Sequence, residues 1–240
     1  MHAHPPPSRR PLRPALALAL ALAFAVPALA QVSAPAAPAP IPQAVLDSPG
    51  FLAHHPDIRN QQEGLARLQR GRNSAAMESF LRAARHADKL SQAMIARMYW
   101  QGVGVRADQA SAYAWMDLAA ERGYPPLLAE REAMWAALDA DQQGRAIEIG
   151  QALYAEYGDE VARPRMDQAL RAGLRRSLTG SRTGWSAGVR QLEPNMDGFL
   201  DLRRGATARI DTLDPRWWDP DAYWRLQDER WAGAAVAHRD

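Results

Sequence analysis

Residues 90–123 read Leu90-Ser-Gln-Ala-Met-Ile-Ala-Arg-Met-Tyr-Trp-Gln-Gly102-Val-Gly104-Val-Arg-Ala-Asp108-Gln-Ala-Ser-Ala-Tyr-Ala-Trp115-Met-Asp-Leu-Ala-Ala-Glu-Arg-Gly123, two amphipathic helical patterns joined by a glycine turn. In the first pattern Ile95, Met98, Tyr99 and Gly102 recur at spacings of three and four; in the second, Ala112, Trp115, Ala119 and Gly123 do. Gly102 and Gly104 supply the positive φ that stops the first helix, and Asp108 is placed to cap the second. Ala112, Ala119 and Ala120 leave room for close helix approach. The reading is a helical hairpin, not a phosphate cradle: a helix rather than a strand precedes Gly102 and Gly104, and the third glycine of a dinucleotide fingerprint is missing.

The pattern recurs on both sides. Leu65, Ala66, Arg67 and Leu68 followed by Gly71 match Ile95, Ala96, Arg97 and Met98 followed by Gly102, and Ala83-Ala84 lies 36 residues before Ala119-Ala120. Met134 and Trp135 stand at the same offset of 36 from Met98 and Tyr99. Asp139 with Gln142 reads as a capping box, followed by a stripe of Ala146, Ile149, Leu153 and Tyr157. About three helical hairpins over residues 57–158 are expected, the number at which stacked hairpins bury one another's apolar faces.

Through Tyr99, Gly102, Val103, Gly104, Val105, Asp108, Ala112, Trp115, Ala119, Ala120 and Gly123, the central unit resembles a Sel-one-like repeat, a relative of the tetratricopeptide repeats. Ala96 departs from the pattern where glycine is common, and Met116 where an aromatic is common. The resemblance implies an all-α, short right-handed helical-hairpin solenoid. It implies a non-enzymatic interaction scaffold for a protein or peptide, with the first helices lining the concave side. On that side Arg67, Arg70, Arg97 and Trp100 would form a groove for a peptide carboxylate or acidic side chain plus an apolar anchor.

Outside the repeats, Arg9, Arg10 and Arg13, an apolar run over residues 15–26, Pro27 and Ala28-Leu29-Ala30 read as a cleavable secretory signal (1–30) cut between Ala30 and Gln31. The run is shorter than the ~20 residues that span a bilayer, so the mature chain is expected to be periplasmic or secreted and not integral to the membrane. Without those arginines the formal charge falls from +2 to −1, which removes the compositional case for a nucleic-acid partner. With no cysteine, the chain has no disulfide, and its stability rests on packing. Residues 31–56, Ala- and Pro-rich at first, read as an extended mobile linker, with His54-His55 as part of it rather than a metal site.

The extension, 159–240, reads as helical and rich in Arg and Trp. Pro164 suits the first turn of a helix whose stripe is Met166, Leu170, Leu174 and Leu178 and whose other side gathers Arg165, Arg171, Arg175 and Arg176. Asp219-Pro220 reads as a cap and helix start, and Trp217, Trp218, Trp224 and Trp231 crowd around it. These indoles clamp the tail onto the repeats or, in the alternative reading, hold cell-wall glycan for a wall-associated accessory protein or weak hydrolase. Gly184-Trp-Ser186-Ala-Gly188 with His238 downstream has nucleophile-elbow spacing, but no βαβ context surrounds it and the match is read as chance. No cofactor is called for.

Overall fold

A computed structural model describes residues 41–46, 49–179 and 214–237, and all regular structure among them is helical. The first helices are α1 (Gln43–Leu46), α2 (Pro49–His54), α3 (Pro56–Gln69), α4 (Asn73–Ala84), α5 (Lys89–Gln101) and α6 (Gln109–Ala119), the last extended by a 3-10 turn, Ala120–Arg122. Then follow α7 (Pro125–Ala137), α8 (Ala140–Tyr157), α9 (Asp159–Thr179), α10 (Pro215–Trp218) and α11 (Pro220–Ala237).

The local signals act as read. Gly102 ends α5 at φ 69°, and Asp108 caps α6 by accepting from the Ala110 N–H. Asp139 and Gln142 form a reciprocal capping box at the start of α8. Two hairpins, α3–α4 and α5–α6, pack side by side with α4 against α5. Gly64 makes the first of them close, since a Cβ there would stand 2.5 Å from the Phe80 ring. Phe80, Met94, Ile95, Met98, Met116 and Leu118 form the centre of the main core. Here α5 is enclosed on nearly every side: Leu90 to Ala96 and Met98 are all buried. The following pair differs. Both α7 and α8 lie against α6, and they meet each other near their junction, where the Gln143 side-chain amide donates to the carbonyls of Trp135 and Leu138.

Three expectations are corrected. The stretch read as an extended linker is helical in α1 and α2 and buries Ile41, Val45 and Phe51. Its burial partners, Met166, Leu170, Trp217, Trp218, Tyr223 and Trp224, lie far along the chain and complete a second core. His55 is an interior residue of that core, with Nδ1 2.8 Å from the Phe51 carbonyl and Nε2 2.9 Å from the Trp217 carbonyl. Burial pulls it down to about 4 despite those carbonyls, so the ring is neutral at pH 7 and one nitrogen donates. Finally, α9 starts at Asp159 and carries Pro164 inside it; the Val161 and Ala162 N–H groups bond the Gly158 carbonyl and start the helix ahead of the proline.

Trp217, Trp218 and Trp224, read as glycan-binding candidates, are likewise interior. Trp217 meets Phe51 edge-on at 5.2 Å, Trp218 packs where a Cβ on Gly173 would be, and the Trp224 indole N–H donates to Asp167 at 2.8 Å. Trp231 stacks on Tyr124 at 5.0 Å. Burying one large apolar side chain contributes about 2–3 kcal/mol, so turning three indoles out toward a glycan would cost several kcal/mol. The serine motif at 184–188, His238 and the arginines beyond 179 lie outside the described residues.

Polar anchors fix the tail as well. The Tyr223 hydroxyl donates to the buried Asp57 carboxylate, and the Tyr124 hydroxyl donates to Asp228 at 2.5 Å. Burial pushes Asp57 up to about 7 against the pull of the Tyr223 hydrogen bond, and the nearby Asp88 carboxylate adds to the rise. A carboxyl whose folded pKa is raised is protonated in the fold before it is protonated in the unfolded chain. Its contribution is therefore full below about pH 4 and is lost as pH rises to about 7. His55 and His86, both lowered to about 4 chiefly by burial, act in the opposite sense, losing stability as pH falls from 6.5 toward 4.

Asp57→Asn keeps an acceptor for Tyr223 and removes the titration. The variant should therefore gain about 1–3 kcal/mol over the parent at pH 8, and the gain should vanish near pH 4. Denaturant midpoints of both proteins across that range check this, and a pH-independent difference would show Asp57 ionised throughout. In the central turn, Gly102 and Gly104 share positive φ, but a Cβ on Gly104 would sit 2.6 Å from the Asn73 carbonyl carbon, whereas the nearest atom to one on Gly102 is 3.3 Å away. Gly102→Ala should cost about 1–2 kcal/mol, with Gly104→Ala costing distinctly more; equal thermal midpoints would refute the close approach.

Candidate functional site

The expected groove does not assemble on the first helices. Arg67 is held within its own hairpin, donating to the Ala75 carbonyl at 3.1 Å, to Ser79 Oγ at 2.7 Å and to Glu63 at 2.5 Å. Arg97 reaches from α5 to α7 and grips both oxygens of Glu130 at 2.6 and 2.5 Å. Trp100 packs partly buried against the main core and against the small cluster of Ala110, Leu138 and Ala146. Arg70, at the end of α3, is exposed. Most of α5 is enclosed by hairpin packing, and α7 supplies the counter-charge for its arginine.

A different concavity is open, between α6, α7 and α8. It encloses about 520 Å³ and is lined by Tyr113, Ala114 and Asp117 from α6, Trp135 from α7, and Ala146, Ile147, Gly150, Gln151 and Tyr154 from α8. The capping box starts α8, and a hydrogen bond from the Gln142 amide to Gln109 at 2.9 Å fastens that end to α6. At the far end the Tyr154 hydroxyl lies 3.2 Å from both the carbonyl and the carboxylate of Asp117. Tyr113 and Trp135 lean together with ring centroids 4.7 Å apart. Ile147 is the exposed large hydrophobic residue among the described ones, at 56 %.

The electrostatics of the cleft are set by Asp117. Burial raises Tyr113, and Asp117 adds to the rise; Tyr154 is raised by burial first and by Asp117 next. Both phenols are therefore neutral donors at pH 7. Arg131 approaches Asp117 at 3.5 Å, but its closer partner is Glu132 at 2.5 Å. No serine, cysteine or histidine is part of the lining, so the walls offer apolar contact, two phenols, an amide and one carboxylate. Such walls can make apolar contacts and hydrogen bonds to a ligand.

The sequence reading missed this site. Its signals were present in α8: Ile147 stands off the stripe of Ala146, Ile149, Leu153 and Tyr157, while Gly144 and Gly150 interrupt a helix at a cost of up to ~1 kcal/mol each. The chain matches no protein-family model, no curated protein and no solved structure. No described helix is long and apolar enough to cross a membrane.

A Cβ at Gly150 would meet nothing within 4 Å, unlike one at Gly64 against Phe80. Gly150→Ala should accordingly stabilise the protein by about 0.5–1 kcal/mol, and Gly64→Ala should destabilise it. Urea midpoints distinguish the two; a loss at Gly150 would mean that the cleft is filled in solution.

Proposed function

We propose that this chain is a non-enzymatic, exported repeat scaffold of the Sel-one-like kind, which holds a protein or peptide partner in the cell envelope. Its α3–α4 and α5–α6 hairpins are the first units of a short right-handed solenoid of about three repeats, and α7 with α8 is the last. The partner is seated between α6 and α8. What carries this reading is the open cleft of about 520 Å³ walled by Tyr113, Trp135 and Tyr154, a concavity within the size range of binding pockets. After removal of residues 1–30, the mature protein works in the periplasm or outside the cell, without cofactor or nucleic acid. Under the glycan-holding alternative, Trp217, Trp218 and Trp224 would have to leave the second core.

A photo-activated benzoylphenylalanine placed at Ile147, and separately at Arg70, tests the seat in the native envelope. Adducts of defined mass are expected from position 147 and none from position 70. Adducts from position 70 only, or from neither, would overturn the assignment of the seat.

A further inference from the structure

The cleft has one charged residue among its walls, and that residue is acidic. Asp117 stands beside three aromatic rings, Tyr113, Trp135 and Tyr154, with small side chains at Ala114 and Ala146 and none at Gly150. Aromatic faces carry negative quadrupole potential and attract cations, best when water is displaced. The same chain uses this chemistry inside its fold: Arg122 and Arg163 lie over the Trp224 ring at 4.7 and 4.6 Å, and that indole is hydrogen-bonded to the Asp167 carboxylate. Around Trp224 an aromatic face, a carboxylate and guanidinium groups come together; the cleft repeats the first two.

Taking the cleft as the partner's seat, we infer that it is a cage for a basic side chain, a lysine or arginine presented on an extended segment of a partner protein. The methylene stem lies along Ala114, Ala146 and Gly150, the charged head meets the Tyr113 and Trp135 faces, and Asp117 accepts from it. Arg131 also reaches the Asp117 carboxylate, but only at 3.5 Å, while Glu132 holds the same guanidinium more closely at 2.5 Å. Its own acidic neighbours, Glu132 and Asp117, leave the local balance negative. The preference is the reverse of the acidic partner implied by a groove of arginines.

The test uses capped peptides, acetyl-Gly-Ser-X-Ser-Gly-amide with X as arginine, lysine, citrulline, norleucine or glutamate, titrated while the indole N–H resonance of Trp135 is followed. That resonance is assigned by Trp135→Phe. The arginine and lysine peptides should bind at least about fivefold more tightly than citrulline or norleucine, and the difference should shrink with salt. Asp117→Asn, which still accepts from Tyr154, should erase the preference. Gly150→Leu should fill the cleft, abolish binding and leave the thermal midpoint undiminished. Equal binding of norleucine, tighter binding of glutamate, or a Trp135 shift produced by a chitin oligomer but by no peptide would overturn the cation cage. If cross-links still form at Ile147 in any of those cases, the seat stands and only its selectivity falls; if they do not, both fall.

Discussion

The Lys89 ammonium has no exposure, and the arrangement of the later helices depends on how it is satisfied. Nζ donates to the Leu118 carbonyl at 3.0 Å and to Glu121 at 2.7 Å, and pairs with Asp159 at 3.0 Å. Burial lowers the Lys89 pKa, with Asp159 opposing. Burial would raise Asp159, but Arg122, which holds it at 2.5 and 2.9 Å, and then Lys89 outweigh that and lower it. Removing one partner from such a network strands a charge and costs about 3–5 kcal/mol. The first residue of α9 is thereby tied to the start of α5 and the end of α6.

From that fixed start α9 runs back along α2, α3, α10 and α11. Its apolar side, Met166 and Leu170, closes the second core with the tail tryptophans. Among the described residues α8 packs chiefly on α6, and Ala146 is its buried residue. That side of α9 joins the early helices α1 and α2 to the tail helices α10 and α11. Tail burial in the second core follows from the direction that α9 takes at Asp159.

What could be read from the sequence divides by range. Gly102, Gly104, Asp108 and the Asp139–Gln142 box were legible because each acts on backbone within a few residues of itself. The helices at 43–46 and 49–54 were not, because their order comes from Trp217, Trp218 and Tyr223, far away in sequence, and local composition favours an extended chain. The groove of Arg67, Arg70, Arg97 and Trp100 failed for a similar reason. A helical wheel assigns faces relative to the helix axis, but α5 is surrounded, and the counter-ion of Arg97 comes from α7. The cleft was hidden because its walls come from three helices, α6, α7 and α8, and periodicity reports on one helix at a time.

With so little of its surface buried, α8 must be held by its ends. At the amino end the capping box and the Gln142–Gln109 bond fix it, and Arg145 approaches Asp108 at 3.8 Å. At the carboxyl end Tyr154 is fastened to Asp117, Tyr157 packs on Trp115 at 4.9 Å, and the Gln92 amide donates to the Tyr157 carbonyl at 3.2 Å. Between these anchors Ala146, Ile149 and Leu153 pack on the neighbouring helices, while Ile147 is exposed and a Cβ on Gly150 would meet nothing within 4 Å. A helix pinned at both ends tolerates glycine in its middle. Because the Tyr154 bond that pins α8 ends on Asp117, the same contact that fixes the helix also orients the acidic residue of the cleft.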